Sequence, residues 1–352
     1  MYQIKLTYVF FLLIFSFSFS NEDKLKEYKG FFDFSYNESK DKIFLKVKKL
    51  DYEFLYVGSL ASGVGSNDIG LDRGQLGSEK LVKFIKKGNK LLLVEPNLYF
   101  RAETKNISEK KSVQQAFAKS VIFGFEIIKT NDNHYLIDFT PFLMFDRHGV
   151  AKRLRDTKQG SYKVDKSKSA IEINNTKAFP NNVEFEALLT FSGEAKGNLI
   201  RSVAPDADNI TVFQHHSFIK LPDNNYNPRK FDTRSGAISI SYMDYSSPIE
   251  DPITKKYVIR HRLEKKNPEL EISEAIEPII YYLDPGTPEP VKSALLEGGR
   301  WWNQAYESIG FKDAFQVKIL PEGIDPLDCR YNVIQWVHRS TRGWSYGASV
   351  VD

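Results

Sequence analysis

The sequence predicts an α+β fold: a mostly antiparallel β N-terminal domain followed by the start of an α/β domain. Three observations carry that reading. Between Lys80 and Glu264 most runs alternate apolar and polar residues and are separated by Asn/Asp/Gly/Pro turns, the pattern of half-buried strands. After Lys265 one long stretch, PEPVKSALLEGGRWWNQAYESIGF, repeats its apolar residues at helical spacing, with strand-like runs beyond it. All four tryptophans fall after residue 300, so the composition changes where the pattern changes.

The elements are taken in chain order. Residues 1–20 read as a signal peptide. Lys5 supplies the positive start, Leu6 to Phe19 the apolar run, and Ser18 and Ser20 the small residues before a cut. The apolar run is too short to span a bilayer comfortably, so no stable membrane span is expected after the signal is removed. Residues 21–50 are Lys-rich and carry Phe31, Phe32 and Phe34; they read as a leader that packs on the domain after it. Residues 51–270 read as the β-rich domain. Glu53 to Leu60 is its first strand. LVKFIKKGNKLLLVEP is a hairpin turning at Gly88 and Asn89, and VIFGFEIIKTNDNHYLIDF a second, turning at Asn131 to Asn133. VEFEALLTF, ITVFQHHSFIKL, GAISISYMDY and KYVIRHRLEK are further strands, and short helices fit Lys111 to Lys119 and Val150 to Arg155. Antiparallel strands at this spacing suggest a sandwich or an open barrel. In residues 271–352 the long helix has Pro288 or Pro290 in its first turn and Gly310 as its stop. FQVKIL and RYNVIQWVH are strands after it.

Composition narrows the function. The chain has 352 residues, 41% hydrophobic and 27% charged, with a net charge of +4, which is globular. Lysines and carboxylates are mixed throughout, so nothing points to nucleic acid. Cys329 is the single cysteine, which excludes an internal disulfide and a cysteine zinc cluster.

No complete catalytic site can be read from the residues. The loop SLASGVGSNDIGLDRGQLGS lacks the Gly-Lys-Ser/Thr of a phosphate loop and the GxGxxG spacing, and reads as a structural loop. No two histidines have the helical spacing of a zinc site. His215 and His216 sit in a strand pattern, face opposite sides and cannot share one metal. There is no GxSxG. Cys329 follows a turn with nothing to lower its pKa. Asp325 and Asp328 serve turn geometry.

Several long stretches nevertheless carry a resemblance. SLASGVGSNDIGLDRGQLG, LLLVEPNLYFRA, FDRHGVAKRL, KAFPNNVEFEALLTF, TVFQHHSFIKLPD, RHRLEKKNPE, EPIIYYLDPGTPEPVKSALLEGGRWWNQAYESIGF and RYNVIQWVHRSTRGWSYGASVVD resemble exported bacterial zinc-dependent metallopeptidases. These are metzincin-like proteins with uncharacterised N-terminal domains ahead of a His-Glu-x-x-His catalytic domain. The likeness implies that residues 271–352 are the truncated start of the catalytic domain. It also implies zinc as cofactor of the full-length protein, and a peptide or protein substrate. No residue of this chain matches the His-Glu-x-x-His motif. Neither catalytic residues nor metal ligands carry over, and no zinc is expected on this chain alone. Such enzymes add an extended substrate to an edge strand ahead of the zinc helix. By order that strand falls on Gly347, Ala348, Ser349 and Val350, which become the substrate-binding candidates. The expected location is periplasmic or extracellular. The competing expectation is a non-enzymatic exported binding or regulatory module.

Overall fold

The computed structural model describes residues 25–131, 133–340, 345 and 347. In chain order it contains β1 (Leu25–Tyr28), β2 (Asp33–Asn37), β3 (Lys42–Val47), β4 (Glu53–Ser62), β5 (Leu76–Lys87), β6 (Lys90–Glu95), β7 (Phe100–Arg101) and α1 (Ile107–Ala116). Next come β8 (Ser120–Asn131), β9 (His134–Asp138), α2 (Thr140–Leu143), α3 (Val150–Asp156), β10 (Gly160–Val164), β11 (Ala170–Ile171), β12 (Lys177–Ala178) and β13 (Asn182–Ala195). The remainder is α4 (Asn198–Val203), β14 (Asn209–Lys220), β15 (Ser239–Asp244), β16 (Thr254–Val258), β17 (Ser273–Glu274), β18 (Ile279–Leu283), α5 (Val291–Glu307), β19 (Phe311–Lys312), β20 (Phe315–Ile319) and β21 (Asn332–Ile334).

The fold is α+β and mostly antiparallel β. One 13-stranded sheet runs β1-β2-β3-β9-β8-β6-β5-β4-β14-β13-β10, with β11 and β12 also paired to β13. The stretch read from sequence as a leader supplies β1, β2 and β3, and β3 pairs with β9. Both expected hairpins form, β5–β6 and β8–β9, because Gly88 takes φ +56 and Asn131 accepts from the amides of Asn133 and His134. Such turns match the twist of the strands they join.

The sheet curls until its ends meet. β2 and β13 stand near opposite ends of the strand order, yet the rings of Phe34 and Phe185 are 5.2 Å apart. The Phe31 amide donates to the Phe179 carbonyl at 2.8 Å across the seam. Gly30 makes that approach feasible, since a Cβ there would lie 2.5 Å from the same carbonyl oxygen. Inside the curl Phe34, Phe54, Phe84, Phe139, Phe142, Phe185, Phe191 and Phe218 are fully buried. Each such side chain contributes about 1.5–3 kcal/mol by leaving water, and the edge-to-face ring contacts add to that.

Three smaller sheets complete the described residues, one of them the parallel pair β17–β19. β7, β15 and β16 form a three-stranded sheet. β16 ends at Val258, so the last residues of KYVIRHRLEK are not strand. In the C-terminal unit β18 lies between β20 and β21 and is parallel to both. A parallel pair needs a crossover, and α5 provides it between β18 and β20. Gly299 lets the helix come close, because a Cβ there would sit 2.6 Å from Val317 Cγ2. Tyr306 stacks on Phe315 at 5.6 Å. Pro290 is the N-cap of α5 and Gly310, at φ +86, follows its end. No residue of α5 is buried, and Trp301 and Trp302 are each 64% exposed. No helix among the described residues is long and apolar enough to cross a membrane.

Candidate functional site

β13 is buried on both faces over most of its length. Strand alternation sends Val183, Phe185, Ala187 and Leu189 into the aromatic core and Asn182, Glu184 and Glu186 to the other side. The register of β14 places His215 opposite Glu186 and Ser217 opposite Glu184. His216, one residue on, turns to the core. The two histidines therefore face opposite sides, as the strand pattern requires.

The outer face holds a closed polar network. His215 Nε2 meets Glu184 Oε2 at 2.7 Å and His215 Nδ1 meets Glu186 Oε2 at 2.9 Å. Ser217 Oγ donates to Glu184 Oε2 at 2.5 Å, Asn182 Nδ2 to Glu184 Oε1 at 2.5 Å, and Asn175 Nδ2 to Glu186 Oε1 at 2.7 Å. Burial alone would strip the proton from His215. The hydrogen bonds and charges of Glu184 and Glu186 outweigh it and hold the imidazole protonated, with a pKa of about 9. His216 is the reverse case. Burial, helped by the charges of His215 and Arg147, keeps it neutral. It meets Gln214 Nε2 at 3.1 Å through Nε2 and Tyr56 Oη at 2.9 Å through Nδ1. Gln214 Oε1 accepts from the amides of Arg147 and His148, which fixes its Nε2 as the donor. His216 thus carries its proton on Nδ1 and donates to Tyr56.

The outer network is roofed by the C-terminal unit. Asn182 Nδ2 also donates to the Leu327 carbonyl at 2.7 Å, and its Oδ1 accepts from the Cys329 amide at 3.2 Å. Lys177 pairs with Asp325. Asp325 and Asp328 accept from the amides of Leu327 and Arg330, so both shape this turn. Burial, with the charges of Asp328 and Glu184, pushes the Cys329 thiol up to about 11. A thiol held protonated is a poor nucleophile.

A second contact lies at the Gly-rich loop. It folds on itself, with the Val64 amide on the Leu71 carbonyl at 2.7 Å, and grips residues 335–340. The Ser340 amide donates to the Gly65 carbonyl at 2.8 Å, Arg73 Nη1 reaches the Trp336 carbonyl at 3.3 Å, and Arg339 pairs with Asp72 at 2.7 Å. The loop is structural, as its sequence suggested. The run RYNVIQWVH pairs as a strand only through Ile334: beyond that point the Trp336 amide turns to the Asp284 carboxylate, while the Trp336 carbonyl and the Ser340 amide turn to the loop. Of the substrate-binding candidates, Gly347 is exposed and in no strand, while Ala348, Ser349 and Val350 lie outside the described residues.

Among the described residues no group of three or more His, Cys, Asp or Glu side chains is arranged to hold a metal. His215 uses both ring nitrogens on carboxylates and is protonated, so it has no lone pair to offer. Sequence reasoning missed this network. The signal was present in the alternation Asn182, Glu184, Glu186 within an apolar strand.

The fold and the network define a curled antiparallel β domain in hydrogen-bond and ion-pair contact with the C-terminal α/β elements. Residues 74–266, more than half of the chain, match the family described as Domain of unknown function (DUF5117), and the chain belongs to that family. No curated protein and no solved structure matches it.

Proposed function

We propose that this chain is the N-terminal portion of an exported zinc-dependent metallopeptidase, and that its β domain is a rigid platform for the first elements of the catalytic domain. The supporting observation is the pair of contacts above. Asn182 and Lys177 fix the turn around Leu327, and the Gly-rich loop fixes residues 335–340. Both anchors come from the β domain, and both hold segments beside the parallel strands β18 and β21. A sheet held at two points keeps its register against thermal motion, which a substrate-positioning strand requires. On this reading zinc and the chemistry it brings are supplied by the remainder of the full-length protein.

The test uses the full-length protein with casein or a quenched peptide. Chelator-sensitive cleavage supports the peptidase reading; stoichiometric zinc with no cleavage of any peptide overturns it. Asn182→Leu removes both bonds to the turn and should lower cleavage while leaving zinc content unchanged. Gly347→Pro and Ala348→Pro should do the same if substrate adds at residues 347–350.

A further inference from the structure

A groove of about 640 Å³ opens between the β5–β6 hairpin and α1, away from the buried network. Its floor is apolar, formed by Leu50, Ile85, Val94 and Phe100. Its far wall is one face of α1 and the residue after it: Lys110, Val113, Gln114 and Phe117 recur at helical spacing. That wall is loosely attached. No residue of α1 is buried, and Phe117 holds it by stacking on Phe100 at 3.9 Å.

The charges of the groove do not cancel. Its two acids, Asp51 and Glu53, share one partner, Lys83, at 3.5 and 3.8 Å, and are outnumbered by the basic residues of the lining. Arg101 is taken by Glu103 at 3.9 Å and lies over the Tyr242 ring. Lys87 on the hairpin wall, and Lys110 and Lys119 on the helix wall, have no carboxylate partner among the described residues. An apolar floor between two walls of unneutralised ammonium groups calls for a ligand that is both acidic and apolar.

We infer that this groove docks an extended acidic peptide bearing apolar side chains. The lysines stand on opposite walls and do not converge on one point, so a compact anion would satisfy only one wall. Successive side chains of an extended peptide point to opposite sides and reach both. The groove is also partly open to solvent, which suits an extended chain better than an enclosed acyl tail. Occupancy would tie α1 to the hairpin and order a wall that packs weakly on its own. The inference stands independently of peptidase activity.

The purified chain is titrated into a short fluorescein-labelled peptide alternating glutamate and leucine, read by anisotropy. A lysine–leucine peptide and phosphatidylglycerol vesicles are the comparison probes. The acidic peptide should bind in a salt-sensitive manner, and amide exchange over Ile107–Ala116 should slow on binding. Reversing two facing charges, Lys87→Glu with Lys110→Glu, should weaken binding about tenfold or more, since two attractions become repulsions. Lys119→Glu is the second variant should the pair disturb folding, and Phe117→Ala tests the apolar wall. No binding, binding unchanged by the reversals, equal binding of the lysine–leucine peptide, or vesicle binding that the acidic peptide fails to displace each overturns the inference.

Discussion

Adjacent histidines of opposite protonation give a stability profile with a definite shape. His215 has its folded pKa raised to about 9 from an ordinary 6.5. Its contribution is complete below pH 6.5 and is lost as pH rises through 9. At about 1.36 kcal/mol per pH unit, that window is worth roughly 3 kcal/mol. His216 runs the other way. Burial holds its folded pKa well below 6.5, so its contribution is complete above 6.5 and is lost as pH falls. His148, also depressed by burial, adds to that acid limb. Stability should therefore peak near neutrality and fall on both sides. Urea unfolding followed by tryptophan fluorescence at a series of pH values from 5.5 to 9 measures it. Glu186→Gln keeps a hydrogen-bond acceptor beside His215 but removes one charge, so the fall above pH 7 should shrink to roughly half. A wild-type profile flat from pH 6.5 to 9, or an equal fall in the variant, would refute the assignment of an imidazolium between two carboxylates.

Three further outcomes are expected. Phe185→Ala removes a ring packed on Phe34, Phe139 and Phe218, and should cost about 3–5 kcal/mol in urea unfolding. Gly30→Val drives a side chain into the Phe179 carbonyl at the seam and should cost about 1–3 kcal/mol, read as a lower midpoint at unchanged slope. Cys329, half-buried with its thiol raised to about 11, should react with a disulfide reagent at pH 8 about tenfold more slowly in the native chain than in urea.

Much of the fold was legible because period-2 alternation and turn residues are local signals. The β5–β6 and β8–β9 hairpins, β13, β14 and the helix α5 all arise from them. The curl of the sheet was not legible. It depends on Phe34 meeting Phe185 across about 150 residues of chain, and no window of sequence contains that contact. The opposed faces of His215 and His216 were readable from alternation alone. The Glu184–His215–Glu186 network was not, because its register is set by the long β13–β14 ladder. The end of β21 at Ile334 was missed for a related reason: its competitors, the Gly-rich loop and Asp284, lie well back in the chain.

The family match begins at residue 74, but the physical unit begins earlier. β4, at Glu53–Ser62, lies inside the sheet, with β5 on one side and β14 on the other. A fragment of residues 74–266 would lack β1 to β4. It would leave β5 and β14 as two long unpaired edges, the situation that leads to aggregation. It would also remove Phe34, Leu45, Phe54 and Leu60 from the core, each fully buried. At about 1.5–3 kcal/mol per side chain these four residues amount to about 6–12 kcal/mol, comparable to the 5–15 kcal/mol typical of a whole folded domain before any other lost contact is counted. The fragment should therefore show no cooperative urea transition and little near-ultraviolet circular dichroism, where the whole chain shows both. A cooperative transition in the fragment would mean that the strands before residue 74 are accessories. Its absence would mean that the groove and the buried network rest on a sheet that residues outside the matched segment complete.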